Sequence, residues 1–169
     1  MTMADAKEIL VGIVLGSDSD ISTIESATRT FDDFGIGYEL RILSAHRTPE
    51  ELVEYVRDAT SRNVKVFIAA AGMSAALPGV IAAHTHLPVL GVPVSSGTLG
   101  GLDALLAVSQ MPPGVPVAAM TIGSPGAKNA ALMAVRILAL SEHGLMEKLK
   151  SFIAKQRDDV LAKDSKFRR

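Results

Sequence analysis

The chain has 169 residues, no cysteine, no tryptophan and a formal net charge of −1. This length suits one domain with a substantial hydrophobic core, and the lack of cysteine excludes disulfides, thiolate catalysis and zinc–thiolate sites. With so little net charge and only 4% aromatic residues, the chain is poorly suited to attract nucleic acid or stack on its bases. We therefore expect no nucleic-acid partner.

Five apolar segments of strand length alternate with segments of helical periodicity. We predict strands at residues 9–15, 38–43, 64–71, 89–94 and 117–122. The first apolar run is too short to span a membrane and lacks the flanks of a secretory signal, so a soluble cytoplasmic protein is expected. Three strands are almost wholly apolar and each is followed by a helix, which predicts a parallel sheet in a three-layer α/β sandwich, ordered 2-1-3-4-5.

Two helices can be placed from their apolar faces. The first is predicted at residues 21–34, ended by Gly35, with an inward face formed by Ile21, Ile24, Ala27, Phe31 and Phe34. The second is predicted to turn inward Leu52, Val56 and Ala59. A last amphipathic helix, residues 145–161, lies outside the strand–helix repeat, and we expect it to pack on a neighbouring subunit, with a frayed tail after it.

Ligands in doubly wound sheets bind beyond the carboxyl ends of the strands. The loops expected there are residues 16–20, 44–47, 72–79, 95–101 and 123–129, and all are rich in glycine, serine and other small residues. Together they predict a rim of backbone N–H and hydroxyl donors, which suits a phosphorylated or carboxylated small molecule.

The loop after the second strand carries the chemically most informative pair, His46 and Arg47. Thr48, Pro49 and Glu51 follow in the order of a helix N-cap, first helical residue and capping-box partner. The imidazole can move a proton near neutral pH, and the guanidinium can hold a phosphate. The alternative is an ordinary polar surface loop.

The loop after the first strand offers further polar groups. Ser17 is placed to donate to a phosphate, and Asp20 either caps the first helix or accepts ribose hydroxyls. The loop is neither a P-loop nor a dinucleotide fingerprint, so the sequence does not favour ATP or NAD.

The remaining histidines do not suggest a metal site. His84 and His86 are one residue apart and point to different sides, so we interpret them as packing or interface residues. His143 is expected in a solvent-facing turn before the last helix. We expect no bound metal.

Several blocks in one order resemble the N5-carboxyaminoimidazole ribonucleotide mutase family of purine biosynthesis. They are Gly-Ser-x-Ser-Asp at residues 16–20, Ser-Ala-His-Arg-Thr-Pro at 44–49, Ala-Gly through Leu-Pro-Gly at 71–79, Leu-Pro-Val-Leu-Gly-Val-Pro-Val at 87–94 and Gln-Met-Pro-Pro-Gly through Lys-Asn-Ala-Ala-Leu at 110–132. The resemblance runs from about residue 9 to 140, within a single catalytic domain expected to comprise residues 1–169.

The resemblance implies a flavodoxin-like fold, a homo-octamer, no cofactor and no metal. It implies that a carboxylate moves from the exocyclic nitrogen of an aminoimidazole ribonucleotide to a ring carbon, with His46 as general acid and base. Ser17, Asp20 and Arg47 would bind the ribose phosphate end. The full set of candidate substrate-binding residues is Ser17, Asp18, Asp20, Ser44, Arg47, Gly72, Met73, Ser74 and Leu77.

One loop departs from the family pattern. The mutases carry glycine and histidine where this chain has Met73 and Ala76. Ser74 and Ala76 resemble the related carboxylases that use free carbon dioxide, whereas Arg47 and the blocks at 78–79 and 110–112 resemble the mutases. The mutase is the favoured interpretation. The alternatives are the carboxylase and a non-catalytic nucleotide- or flavin-binding module on the same fold.

Overall fold

The computed structural model describes residues 8–168. A five-stranded parallel sheet of order β2-β1-β3-β4-β5 forms its centre, with helices on both faces. Its strands are β1 (Ile9–Leu15), β2 (Gly37–Ile42), β3 (Val66–Ala71), β4 (Val89–Pro93) and β5 (Ala118–Ala119). The predicted flavodoxin-like architecture and strand order are confirmed.

A single turn of 3-10 helix, Asp18–Asp20, precedes the first of six α-helices in the described chain. The helices are α1 (Ile21–Phe34), α2 (Pro49–Ser61), α3 (Leu77–His84), α4 (Leu102–Ser109), α5 (Ser124–Leu138) and α6 (His143–Ser165). The chain forms two compact units that divide between Ala134 and Val135, and the sheet belongs to the first. In the described part of the chain, no helix has the length and apolar character needed to cross a membrane.

The apolar strands are buried as their composition predicts. All six residues of β3 and all five of β4 are buried, because both strands have neighbours on each side and helices above and below. Leu52, Val56 and Ala59 of α2 are fully buried against this centre, as predicted.

Helix α1 has the predicted bounds, and its end follows from Gly35. This residue adopts φ 76°, a left-handed conformation that glycine takes without steric penalty. The N–H of Ile36 then donates to the Phe31 carbonyl, which completes the helix end. One inward-facing residue was predicted wrongly, since Ile21 at the first position of the helix is 42% exposed.

The predicted capping box at α2 is wrong, although Thr48 is the N-cap and Pro49 the first helical residue. The Thr48 hydroxyl accepts the Ser44 N–H at 2.9 Å and lies 3.3 Å from the Ser44 carbonyl. It therefore closes the preceding loop, and the box with Glu51 does not form.

The last strand is much shorter than the predicted 117–122. It pairs with β4 only at Ala118 and Ala119. β4 ends at Pro93, which has no amide N–H to continue the ladder. β1 has the predicted bounds, whereas those of β2, β3 and β4 differ from prediction by one or two residues, and α6 is longer than the predicted 145–161.

The three histidines outside the candidate site are all exposed. His84 ends α3 and His86 follows it, so neither packs inside the described fold, and their interface role stays a prediction. His143 is exposed as expected, but it lies in α6 rather than in the turn before it.

Candidate active site

A cavity of about 430 Å³ lies at the carboxyl ends of β1 to β4. Four of the five predicted loops contribute to it. The fifth, residues 123–129, does not line it, because it follows the edge strand β5. The lining residues are Gly16, Ser17, Ser19, Asp20, Ser44, Ala45, His46, Arg47, Ala71, Gly72, Met73, Ser74, Ala76, Leu77 and Ser96.

The loop after β1 presents hydroxyls above a buried carboxyl. Ser17 is extended (φ −154°), and its hydroxyl accepts the backbone N–H of Ser19 at 3.3 Å and the Ser19 hydroxyl at 2.9 Å. The Asp20 carboxylate accepts the Ser19 hydroxyl at 3.3 Å.

Asp20 is the one acidic side chain that lines the cavity among the described residues. It is 7% exposed, and this burial raises its pKa because water no longer solvates the charged form. Asp20 holds the N-cap position of α1, yet its side chain makes no capping bond within the described chain. The carboxyl therefore does not cap the helix; it lines the cavity, where its partners are the Ser19 hydroxyl and the Ser17 backbone.

The loop after β2 is organised by the Ser44 hydroxyl. Its oxygen accepts the backbone N–H groups of His46 and Arg47, each at 3.3 Å, and the Arg47 Nε–H at 3.4 Å. Arg47 Nη2 also donates to the Gly16 carbonyl at 2.8 Å. Arg47 therefore bridges the loops after β1 and β2, with its guanidinium held at Gly16.

The loop after β3 contains an unusual backbone conformation at Met73. Its φ of 52° is the one positive φ among the described non-glycine residues, and its side chain is 61% exposed. Two backbone hydrogen bonds between residues two apart keep the loop compact before α3. The Ala75 N–H donates to the Met73 carbonyl at 2.9 Å, and the Ala76 N–H donates to the Ser74 carbonyl at 2.7 Å. Met73 keeps this left-handed position despite the steric penalty of a Cβ atom.

Gly72 provides the contact between the loops after β3 and β4. A Cβ atom at this position would lie 2.2 Å from Ser96 Oγ, so only glycine fits there without movement. This close approach brings Ser96 into the cavity wall.

The structure brings together His46 and all the predicted binding residues except Asp18. Asp18 lines an adjoining cavity of about 330 Å³ that shares Ser17, Ser44 and Arg47 with the first. Sequence reasoning missed Ser19 and Ser96. Each belongs to a loop that the strand-end rule identified, but residue type alone did not separate it from the neighbouring serines.

Within residues 8–168, no group of three or more histidine, aspartate or glutamate side chains is placed to hold a metal ion. The polar groups of the cavity are instead an imidazole, a guanidinium, a buried carboxyl, hydroxyls and backbone amides. This set can bind a phosphorylated anion and transfer protons.

The fold and the cavity together define a doubly wound α/β protein with a small-molecule site at the carboxyl edge of its sheet. A family model described as AIR carboxylase matches residues 10–159. The chain belongs to the AIR carboxylase family, and the resemblance seen in its motifs is confirmed.

Relatives and solved structures are similar over nearly all of the chain. The N5-carboxyaminoimidazole ribonucleotide mutase of Pyrococcus abyssi is 53% identical over 142 residues, 84% of this chain and 80% of the relative. The protein of the same name from Pseudomonas aeruginosa is 51% identical over 152 residues, 90% of this chain and 93% of the relative. The crystal structure of Treponema denticola PurE superposes with a TM-score of 0.87 at 31% identity, covering 96% of this chain and 100% of that one.

Proposed function

We propose that this chain is an isomerase that converts N5-carboxyaminoimidazole ribonucleotide to 4-carboxy-5-aminoimidazole ribonucleotide in purine biosynthesis. The observation that carries the proposal is the placement of His46 beside Arg47 in one cavity with Ser17 and Asp20. His46 is the one imidazole lining that cavity among the described residues. The mutase names of relatives about half identical to this chain support the same reaction.

His46 serves both halves of the reaction. It first protonates the carbamate nitrogen, so that the N–C bond breaks and carbon dioxide leaves the aminoimidazole. The nucleophilic ring carbon then attacks carbon dioxide and forms the C–C bond. The imidazole removes the proton from that carbon, which restores the aromatic ring. One proton moves from carbon to nitrogen as the carboxylate moves from nitrogen to carbon, and no external acid or base is consumed.

The ribose phosphate end binds at the loops after β1 and β2. Arg47 offers a planar, permanently charged donor set, and Ser17 lies on the adjoining loop. Asp20, buried and lining the cavity, accepts hydrogen bonds from the ribose hydroxyls. Gly72, Met73, Ser74 and Leu77 enclose the reacting end, where their loop holds the carboxylate and keeps carbon dioxide from escaping.

The related carboxylase reaction is the second candidate, favoured by Ser74 and Ala76 in the loop after β3. The purified protein should be supplied with the preformed carbamate or, in a parallel reaction, with aminoimidazole ribonucleotide plus bicarbonate. The mutase must turn over the carbamate quickly and the bicarbonate mixture slowly. Fast turnover of the bicarbonate mixture alone would refute the mutase and establish the carboxylase.

His46→Asn separates catalysis from binding. We expect turnover to be lost while ribonucleotide binding persists, because asparagine cannot transfer the proton but Arg47 and Ser17 remain. His143→Asn, which changes an exposed histidine of α6, is the matched control and should keep full activity. Unchanged turnover in His46→Asn would instead support a non-catalytic binding module.

We also propose that the chain is one catalytic domain and works in the cytoplasm as a homo-oligomer, an octamer. Helix α5 continues unbroken across residues 134 and 135, which favours one domain.

Exposed apolar side chains favour contacts between copies of the chain. They include Leu99, Leu102 and Leu106 around α4 and Ile153, Val160 and Leu161 on α6. Light scattering of the purified protein measures the mass of the oligomer directly, and one sharp monomer mass would refute the homo-oligomer. If α6 packs on a neighbouring subunit, Val160→Lys should lower the measured mass.

A further inference from the structure

The Ser96 hydroxyl is a buried donor without a partner. Among residues 8–168, two buried side-chain polar atoms make no hydrogen bond, Ser96 Oγ and Asp103 Oδ1, and only Ser96 lines the cavity. Buried hydroxyls nearly always have partners, because an unpaired one loses its bonds to water without compensation. An exception in the wall of a ligand cavity suggests that the ligand supplies the missing partner.

The protein groups around Ser96 do not satisfy it. Its oxygen lies beside Gly72, 2.2 Å from the position that a Cβ atom would take there, and Gly72 has no side chain to offer a hydrogen bond. The nearby Val94 N–H already donates to the Ala71 carbonyl at 2.9 Å. The adjacent Ser95 is a useful contrast, because its hydroxyl donates to the Gly100 carbonyl at 3.2 Å.

The strand order places Ser96 far from the phosphate end. Arg47 follows β2 and Ser96 follows β4, and these strands are three positions apart in the sheet. At about 4.8 Å per strand, that is about 14 Å along the sheet edge. A ribonucleotide with its phosphate on Arg47 therefore extends toward the loops after β3 and β4, across the cavity that both His46 and Ser96 line.

We propose that the Ser96 hydroxyl donates a hydrogen bond to the carboxylate that is transferred in the reaction. This assignment rests on the proposed function. The carboxylate is present in both the carbamate substrate and the carbon-carboxylated product, and it is absent from aminoimidazole ribonucleotide. Rotation about the Cα–Cβ bond of Ser96 between staggered positions reorients the hydroxyl without moving the backbone. The bond keeps the carboxylate, and the carbon dioxide formed from it, near the ring carbon.

Ser96→Ala tests the assignment by comparing two ligands that differ by the carboxylate. The variant should bind 4-carboxy-5-aminoimidazole ribonucleotide about tenfold more weakly than the wild type, the loss expected for one hydrogen bond to a charged group. It should bind aminoimidazole ribonucleotide with unchanged affinity. With the carbamate as substrate, it should release more aminoimidazole ribonucleotide per turnover, because carbon dioxide is held less well.

Thermal unfolding of the free protein distinguishes this role from a structural one. Ser96→Ala should not lower Tm, because the hydroxyl makes no bond to lose in the free protein. Ser95→Ala is the matched control and should leave the affinities for both ligands unchanged. Equal weakening for both ligands, no weakening for either, or a lowered Tm with unchanged affinities would each overturn the assignment. Failure of the proposed function would appear in the wild type itself, as absence of carbamate turnover.

Discussion

Replacing Arg47 with alanine tests the phosphate subsite most directly. An arginine side chain has five N–H donors. In the described structure two of them are engaged, one with the Gly16 carbonyl at 2.8 Å and one with the Ser44 hydroxyl at 3.4 Å. Three N–H groups remain for a ligand, and the two engaged ones hold the guanidinium between Gly16 and Ser44.

The magnitude follows from the kind of bond that is lost. A hydrogen bond between charged groups contributes about 1.5–3 kcal/mol, which corresponds to a loss of about 10- to 150-fold in affinity. Stability should change little, by less than about 1 kcal/mol, because Arg47 is exposed and water can replace its bond to Gly16.

Calorimetric titration with the product and with its riboside analogue provides the assay. The Arg47→Ala variant should bind 4-carboxy-5-aminoimidazole ribonucleotide 10- to 150-fold more weakly, and the corresponding riboside without phosphate about as well as the wild type does. Arg57→Ala is the matched control, since Arg57 is an exposed arginine of α2 outside the cavity. Equal weakening for nucleotide and riboside, or an unchanged Kd for the nucleotide, would refute the assignment of the phosphate to Arg47.

Three further substitutions, one of them with a matched control, test the physical explanation of the site and fold. Burial raises the pKa of Asp20 above its usual 3.8, so the free energy of unfolding should fall as pH rises through the raised value. Asp20→Asn should remove this fall when stability is measured by urea unfolding at several pH values. A fall of the same size in the variant would show that another group causes it. Met73→Gly should leave Tm unchanged or raise it, because glycine removes the steric penalty at φ 52°, and a clearly lower Tm would contradict this. Gly126→Ala should lower stability by about 1–3 kcal/mol or more, since its Cβ would lie 1.7 Å from the Thr121 carbonyl oxygen. Gly144→Ala, where no described atom is within 4 Å of the added Cβ, should not destabilise, and similar losses in both glycine variants would refute the steric explanation.

Local patterns in the sequence were sufficient to predict the architecture of the fold. The apolar strands alternating with helices predicted the parallel sheet and its order, and Gly35 marked the end of α1 because only the local backbone conformation is involved. His46 and Arg47 were identified as a candidate site because the hydrophobic pattern that predicts the second strand also locates its carboxyl end, where such sheets bind ligands. These features depend on neighbours within a few residues along the chain.

Other features depended on contacts between distant segments. The Thr48 hydroxyl bonds to Ser44 instead of forming a capping box, and β5 is cut short where its neighbour reaches Pro93. Ser96 enters the cavity wall only because Gly72, on another loop, lets it approach so closely. The sequence by itself therefore determined the class of fold and the edge of the sheet that binds ligand. The tertiary structure decided which side chains of that edge share one cavity, because hydrogen-bond partners and close approaches are set by how separate loops meet in space.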